Sequence, residues 1–204
     1  MGKNIRIITP ATAISKELID AAIGKLTAMG HEVSIGKNCL GNFHYFSGTV
    51  AERISDFQAV IDDASIEIIL CARGGYGCIQ IVDELDFSPL KKYPKLIIGF
   101  SDVTVFHAHC QSLGLQTAHA SMPLKFGSNT PESLATLQNI ILGAQNQYTI
   151  NSHKLNVQGQ VEGEIIGGNL AILHTLIGTN SDVDLSGKIL FLEEVGEYVY
   201  TIDR

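Results

Sequence analysis

The chain reads as an α/β protein: an N-terminal domain built on a parallel sheet with helices on both faces, followed by the incomplete start of a β-rich C-terminal domain. Three observations predict this. Strand-like and helix-like segments alternate through the first two thirds of the 204 residues. The strand-like segments are continuous apolar runs, as expected of strands covered on both faces. A polar stretch, Gly143-Ala144-Gln145-Asn146-Gln147, then separates this region from one of different pattern. The expected domains are 1–143, carrying the sheet, and 144–204, a linker and the beginning of a second unit.

The elements follow in order. Ile5–Ile8 is the first strand. Ser15 can cap a helix whose Ile19, Ala22, Ile23 and Leu26 share one face, and Gly30 ends it. Val33–Ile35 is a short second strand, followed by a Gly- and aromatic-rich loop from Gly36 to Gly48. Thr49-Val50-Ala51-Glu52 has the spacing of a capping box and opens a helix to about Asp63. The run Ile66–Cys71 is a third strand, and the residues after it place Cys78, Ile81, Val82 and Leu85 on one helical stripe. Leu96–Ile98 is a fourth strand, Val103–Leu113 a helix and Leu115–Ala118 a fifth strand. Thr130-Pro131 opens a helix through Leu142, with proline at the first helical position. Beyond the linker, strands are expected at Tyr148–Ile150 and across Lys154–Ile166, then a helix at Asn169–Ile177 and a strand at Lys188–Leu192. The C-terminus shows no finishing element, so the sequence reads as incomplete there.

Composition narrows the function classes. Hydrophobic residues make up 45% and charged residues 17%, enough to bury a core. A net charge of −7, with no basic run interleaved with aromatics, argues against nucleic acid or an anionic membrane as partner. No apolar stretch approaches the length of a membrane span, and the N-terminus lacks the apolar core of a signal peptide. The cysteines Cys39, Cys71, Cys78 and Cys110 have no CxxC spacing and lie in or beside apolar segments. They read as reduced core residues of a cytoplasmic protein rather than disulfides or metal ligands.

Three motifs carry candidate chemistry. In Gly99-Phe100-Ser101-Asp102 a serine sits between a strand and a helix with a glycine two residues before it. That is how α/β hydrolases present a nucleophilic hydroxyl, with the next backbone N–H, that of Asp102, facing developing negative charge. Taken alone the tetrapeptide reads more readily as a helix N-cap, because Asp102 stands where an elbow usually has a second glycine; its place at the carboxyl end of a strand favours the nucleophile. Arg73-Gly74-Gly75-Tyr76-Gly77 also lies between a strand and the next helical stripe. Its glycines serve either a turn with positive φ or an anion cradle, and beside a serine elbow they are natural second donors to an oxyanion hole. Glu193, Glu194 and Glu197 follow the last strand, as a solvated acidic end or as the source of a carboxylate that orients a catalytic histidine. None of the seven histidines has persuasive spacing for a base; His107 and His109 lie on different helix faces.

Taken together, the chain resembles the L,D-carboxypeptidase family, the serine peptidases that include muramoyltetrapeptide carboxypeptidase. The resemblance rests on Ile8-Thr9-Pro10-Ala11, Gly48-Thr49, Arg73–Gly77, Ile98–Asp102, Val161-Glu162-Gly163, Ile166–Leu170 and Leu190–Glu197. It implies Ser101 as nucleophile, Glu193 as triad acid, and the Asp102 N–H with the Gly75–Gly77 loop as oxyanion hole. It implies removal of the terminal D-alanine from a murein tetrapeptide through an acyl-enzyme, in cytoplasmic peptidoglycan recycling, with no metal and no cofactor. The family's catalytic histidine lies in a segment beyond Arg204, and no histidine of this sequence matches it, so the 204 residues alone are expected to be inactive. Should they prove active, His119 is the first candidate base. A microcin-immunity-type amidase of the same family and a non-catalytic peptide-binding module are the competing readings. The substrate-binding residues are not legible, and a second copy of the chain is a candidate partner.

Overall fold

The structure, a computed structural model, describes residues 2–203. Five parallel strands form the main sheet in the order β2-β1-β3-β4-β5. Their ranges are β1 Asn4–Ile8, β2 Glu32–Ile35, β3 Ile68–Cys71, β4 Leu96–Gly99 and β5 Thr117–His119. Helices α1 (Lys16–Ala28), α2 (Val50–Asp62), α3 (Pro89–Lys92), α4 (Thr104–Ser112) and α5 (Pro131–Leu142) connect and cover it. A second, two-stranded parallel sheet pairs β6 (Ile165–Asn169) with β7 (Ile189–Glu193) around α6 (Leu170–Leu176), and α7 is Val199–Asp203.

The α/β expectation therefore holds. The core divides into two layers, one on each face of the main sheet. Phe57, Phe87 and Phe106 lead the layer under α2 and α4, whereas Ile19, Leu26, Leu137 and Ile141 fill the layer under α1 and α5. All four cysteines are free and buried. No helix among the described residues is long and apolar enough to cross a membrane.

The capping box at α2 forms as its spacing predicts. The Thr49 hydroxyl accepts from the Glu52 N–H, and the Glu52 carboxylate accepts from the Thr49 N–H at 2.8 Å. Thr49→Ala is expected to cost about 1 kcal/mol, read as a lowered denaturant midpoint at unchanged m-value; an unchanged midpoint would mean that the box contributes nothing.

Three expectations are corrected. The stripe Cys78, Ile81, Val82 and Leu85 is buried, but it lies on two 3₁₀ turns, Cys78–Gln80 and Val82–Glu84. Ile81, at φ −121°, interrupts the helix between them. The helix expected at Val103–Leu113 begins instead as a 3₁₀ turn, Ser101–Val103, and becomes α-helical only at Thr104. Finally, residues 145–164 form no strand. Apolar residues alternate with polar ones through that segment, yet among the described residues the backbone bond that reaches it from another strand comes only at its very end, from the Ile189 N–H to the Glu164 carbonyl, and Ile150 and Val157 stay exposed.

A 2-1-3-4-5 order reverses direction between β1 and β3. Ligands of such sheets bind outside the carboxyl ends of the strands at that reversal. The loop after β1 (Thr9–Ala13), the glycine loop after β3 and the serine turn after β4 all leave the sheet at this edge.

Candidate active site

Ser101 has φ 63°, and among the described residues only it and His44 take a positive φ without being glycine. Phe100 before it is fully extended, so the chain reverses sharply at the serine before winding into α4. The glycine two residues upstream permits that reversal. A Cβ on Gly99 would stand 2.7 Å from the Val103 side chain, which folds back over the strand end. No side-chain capping bond is made at this helix start, so the N-cap reading of Ser101 fails. A left-handed non-glycine residue costs about 1–2 kcal/mol, and such strain concentrates at functional sites.

The glycine loop lies against this turn. A Cβ on Gly74 would stand 3.1 Å from the Asp102 nitrogen and 3.2 Å from Ser101 Cβ, so only glycine lets the two backbones meet. Gly75 and Gly77 have φ 114° and 139°, conformations that L side chains rarely adopt. Gly75 and Tyr76 face solvent, whereas Gly74 and Gly77 are buried. The Cys78 N–H closes the loop by donating to Asp102 Oδ2 at 2.9 Å. Asp102 thus turns its carboxylate inward, 1% exposed, which explains an aspartate where an elbow usually carries glycine.

The second sheet docks at the same place. The Asn169 N–H at the end of β6 donates to Thr104 Oγ1 at 3.1 Å, three residues past Ser101. Glu193 is the register partner of Asn169 on β7. Its Oε1 is buried with no hydrogen-bond partner. The neighbouring Glu194 is the opposite case. Its carboxylate accepts from the Asn169 side chain, from the Ala171 N–H, and from the Val195 and Gly196 N–H groups. These bonds, the one from Val195 foremost, hold the Glu194 carboxyl below its usual range. Glu197 lies beyond β7.

Histidines approach the site without completing it. His119, paired with Gly99 in the sheet, has its ring 6.0 Å from that of Phe100 and 5.2 Å from that of Phe191. Burial pushes its imidazole down, and its Nδ1 has no partner. His107, beneath the turn, donates from Nε2 to the Gly99 carbonyl at 2.9 Å, which leaves Nδ1 bare and buried. Among the described residues, no hydrogen bond joins Ser101 to a histidine.

Burial pushes the His107 imidazole down to about 4. Unfolded, it takes a proton near its ordinary value of about 6.5. Its neutral form therefore contributes stability that is fully present above that value and is lost as pH falls toward 4. Wild type is expected to lose about 2 kcal/mol more than His107→Gln between pH 7 and pH 5, measured by denaturant unfolding at each pH. Equal losses would show that His107 is not held neutral.

Reasoning from the sequence alone missed Arg53, which is buried below the glycine loop. A signal was present: Arg53, Phe57 and Val60 occupy one face of α2, so a cation stands in an apolar stripe. The inward carboxylate of Asp102 had no local signal.

Fold and site define an α/β protein with a strained serine turn and a glycine loop at the carboxyl edge of a parallel sheet. Residues 5–120 match the LD-carboxypeptidase N-terminal domain, and residues 162–204 match the LD-carboxypeptidase C-terminal domain. The chain belongs to the LD-carboxypeptidase family. It is 34% identical, over its full length, to a protein of Bacillus subtilis named "Probable murein peptide carboxypeptidase". It is 32% identical, over 98% of its length, to the murein tetrapeptide carboxypeptidase of Pseudomonas aeruginosa. The chain spans 66% and 69% of the lengths of those two relatives. Muramoyltetrapeptide carboxypeptidase from Oxalobacter formigenes superposes with a TM-score of 0.84 at 27% identity, covering 98% of this chain and 68% of that one. MccF in complex with glutamyl sulfamoyl guanosine has the same fold, with a TM-score of 0.84 at 23% identity, covering 99% of this chain and 71% of that one.

Proposed function

We propose that this chain is the nucleophile-bearing part of a serine L,D-carboxypeptidase that releases the terminal D-alanine of murein tetrapeptide, in cytoplasmic peptidoglycan recycling. The observation that carries the reading is Ser101 at φ 63° with the Gly74 backbone packed against it. The likeness to relatives named murein carboxypeptidases supports the substrate class.

In this mechanism Ser101 Oγ attacks the carbonyl carbon of the terminal peptide bond while a base takes its proton. The Asp102 N–H and the N–H groups of the Gly75–Gly77 loop stabilise the oxyanion as it forms. The intermediate collapses, the protonated amine of D-alanine leaves, and water hydrolyses the acyl-enzyme. Glu193, whose Oε1 has no other partner, orients the base. The base is a histidine outside residues 1–204.

The test is D-alanine release from murein tetrapeptide by the complete gene product and by residues 1–204. Release by the former alone is the expected result. Full turnover from residues 1–204 would move the base to a histidine within them, His119 first. Hydrolysis of an aminoacyl sulfamoyl nucleotide in place of the tetrapeptide would favour the amidase reading, for which the MccF-like fold is the supporting observation. Tetrapeptide binding without hydrolysis would favour a binding module.

A further inference from the structure

Arg53 and Asp102 are both almost fully buried, 2% and 1% exposed. They meet at one peptide bond. Arg53 Nη1 donates to the Gly77 carbonyl at 2.9 Å, and the N–H of the next residue, Cys78, donates to Asp102 Oδ2 at 2.9 Å. A cation thus grips the oxygen of the Gly77–Cys78 peptide and an anion grips its hydrogen. Both interactions are aligned with the peptide dipole, and turning the plane over would oppose both. Arg53 is itself held in place. It donates to the Pro10 carbonyl at 2.9 Å, the Gly48 carbonyl at 3.3 Å and Gln80 Oε1 at 2.6 Å, with its guanidinium 4.7 Å from the Phe46 ring centre.

Among the described residues, Arg53 forms no ion pair with a carboxylate. Its burial is offset by carbonyl and amide oxygens, the Phe46 ring and the more distant Asp102 carboxylate rather than by a contacting acid. An apolar residue in its place could not orient a peptide. The loop needs that orientation, because its three glycines leave the backbone almost free to rotate. One end is fixed where Gly74 packs on Ser101; the clamp fixes the other.

We infer that Arg53 and the Asp102 side chain are positioning residues that lock the Gly77–Cys78 peptide, and through it hold the N–H groups of the Gly75–Gly77 loop toward the reacting carbonyl. The inference rests on the proposed function. It gives Asp102 two tasks: its backbone N–H is one oxyanion donor, and its side chain holds the loop that supplies the other.

The test compares Arg53→Met, Asp102→Ala, Asp102→Asn and the double variant Arg53→Met/Asp102→Ala in the complete gene product, with folded fraction checked by circular dichroism. Each of the first two is expected to lower kcat by about 10- to 100-fold, with KM changed less than threefold. Asp102→Asn keeps an acceptor for the Cys78 N–H and should recover most of the rate. The double variant should be no slower than the worse single, because both residues hold one peptide. Amide hydrogen exchange at Gly75–Cys78 should quicken in the first two and in the double. Variants whose kcat per folded molecule stays within twofold of wild type would overturn the inference. So would losses that Asp102→Asn fails to recover, or single effects that multiply in the double. If wild type itself shows no turnover, the functional reading fails, and exchange decides alone: unchanged protection at Gly75–Cys78 overturns the clamp, and faster exchange upholds it.

Discussion

Ser101→Ala is expected to abolish D-alanine release with little change in fold, whereas Ser101→Gly should abolish release and raise the melting temperature. A serine nucleophile acting with a base accounts for on the order of 10⁶-fold in kcat, so either change should leave turnover near background. Stability separates the two variants. Ser101 sits at φ 63°, where alanine is as strained as serine and glycine is not. Relief of that strain exceeds the entropy glycine adds to the unfolded chain, leaving about 0.5–1 kcal/mol of net stabilisation. For a chain of this size that is about 1–4 °C. A glycine variant that melts below wild type would show that the turn stores no strain. Serine-independent release would remove Ser101 from the mechanism.

Glu193→Gln is expected to reduce kcat by about 10⁴-fold, the scale seen when the acid of a serine triad becomes an amide. Its melting temperature should hold, because Glu193 Oε1 makes no hydrogen bond that the amide would forfeit. Glu194→Gln should behave the other way. That carboxylate ties the start of α6 to the Val195–Gly196 turn, and an amide can accept at one of its two positions only. Stability should fall while kcat changes little. Reversed outcomes would make Glu194 the acid and Glu193 the structural residue. The comparison is informative because the two residues are adjacent in sequence and differ only in what surrounds them.

The local grammar of the chain was legible wherever the deciding groups lie within a few residues of one another. The capping box at Thr49, the proline-led start of α5, the buried strands and the Gly99-x-Ser101 turn each follow from steric and hydrogen-bonding rules that act over one turn of backbone. The same rules overreached between residues 145 and 164, where an alternating pattern looks strand-like. Alternation states which face could be buried; it does not supply the partner strand that makes burial possible.

By itself, then, the sequence determined the parallel α/β sheet, the serine at its carboxyl edge and the glycine loop beside it. Only the tertiary structure decided how those pieces become one site. Cys78 reaches Asp102 across 24 residues, Arg53 reaches Pro10 across 43, and Asn169 reaches Thr104 across 65. Tertiary contacts also decided which glutamate keeps a buried oxygen without a partner and which is saturated, and what an arginine on an apolar helix face bonds to. The physical reason is one of range. Backbone sterics and capping are set by neighbours in the chain, whereas the partner of a buried charge is chosen by whichever segment the folded core brings against it.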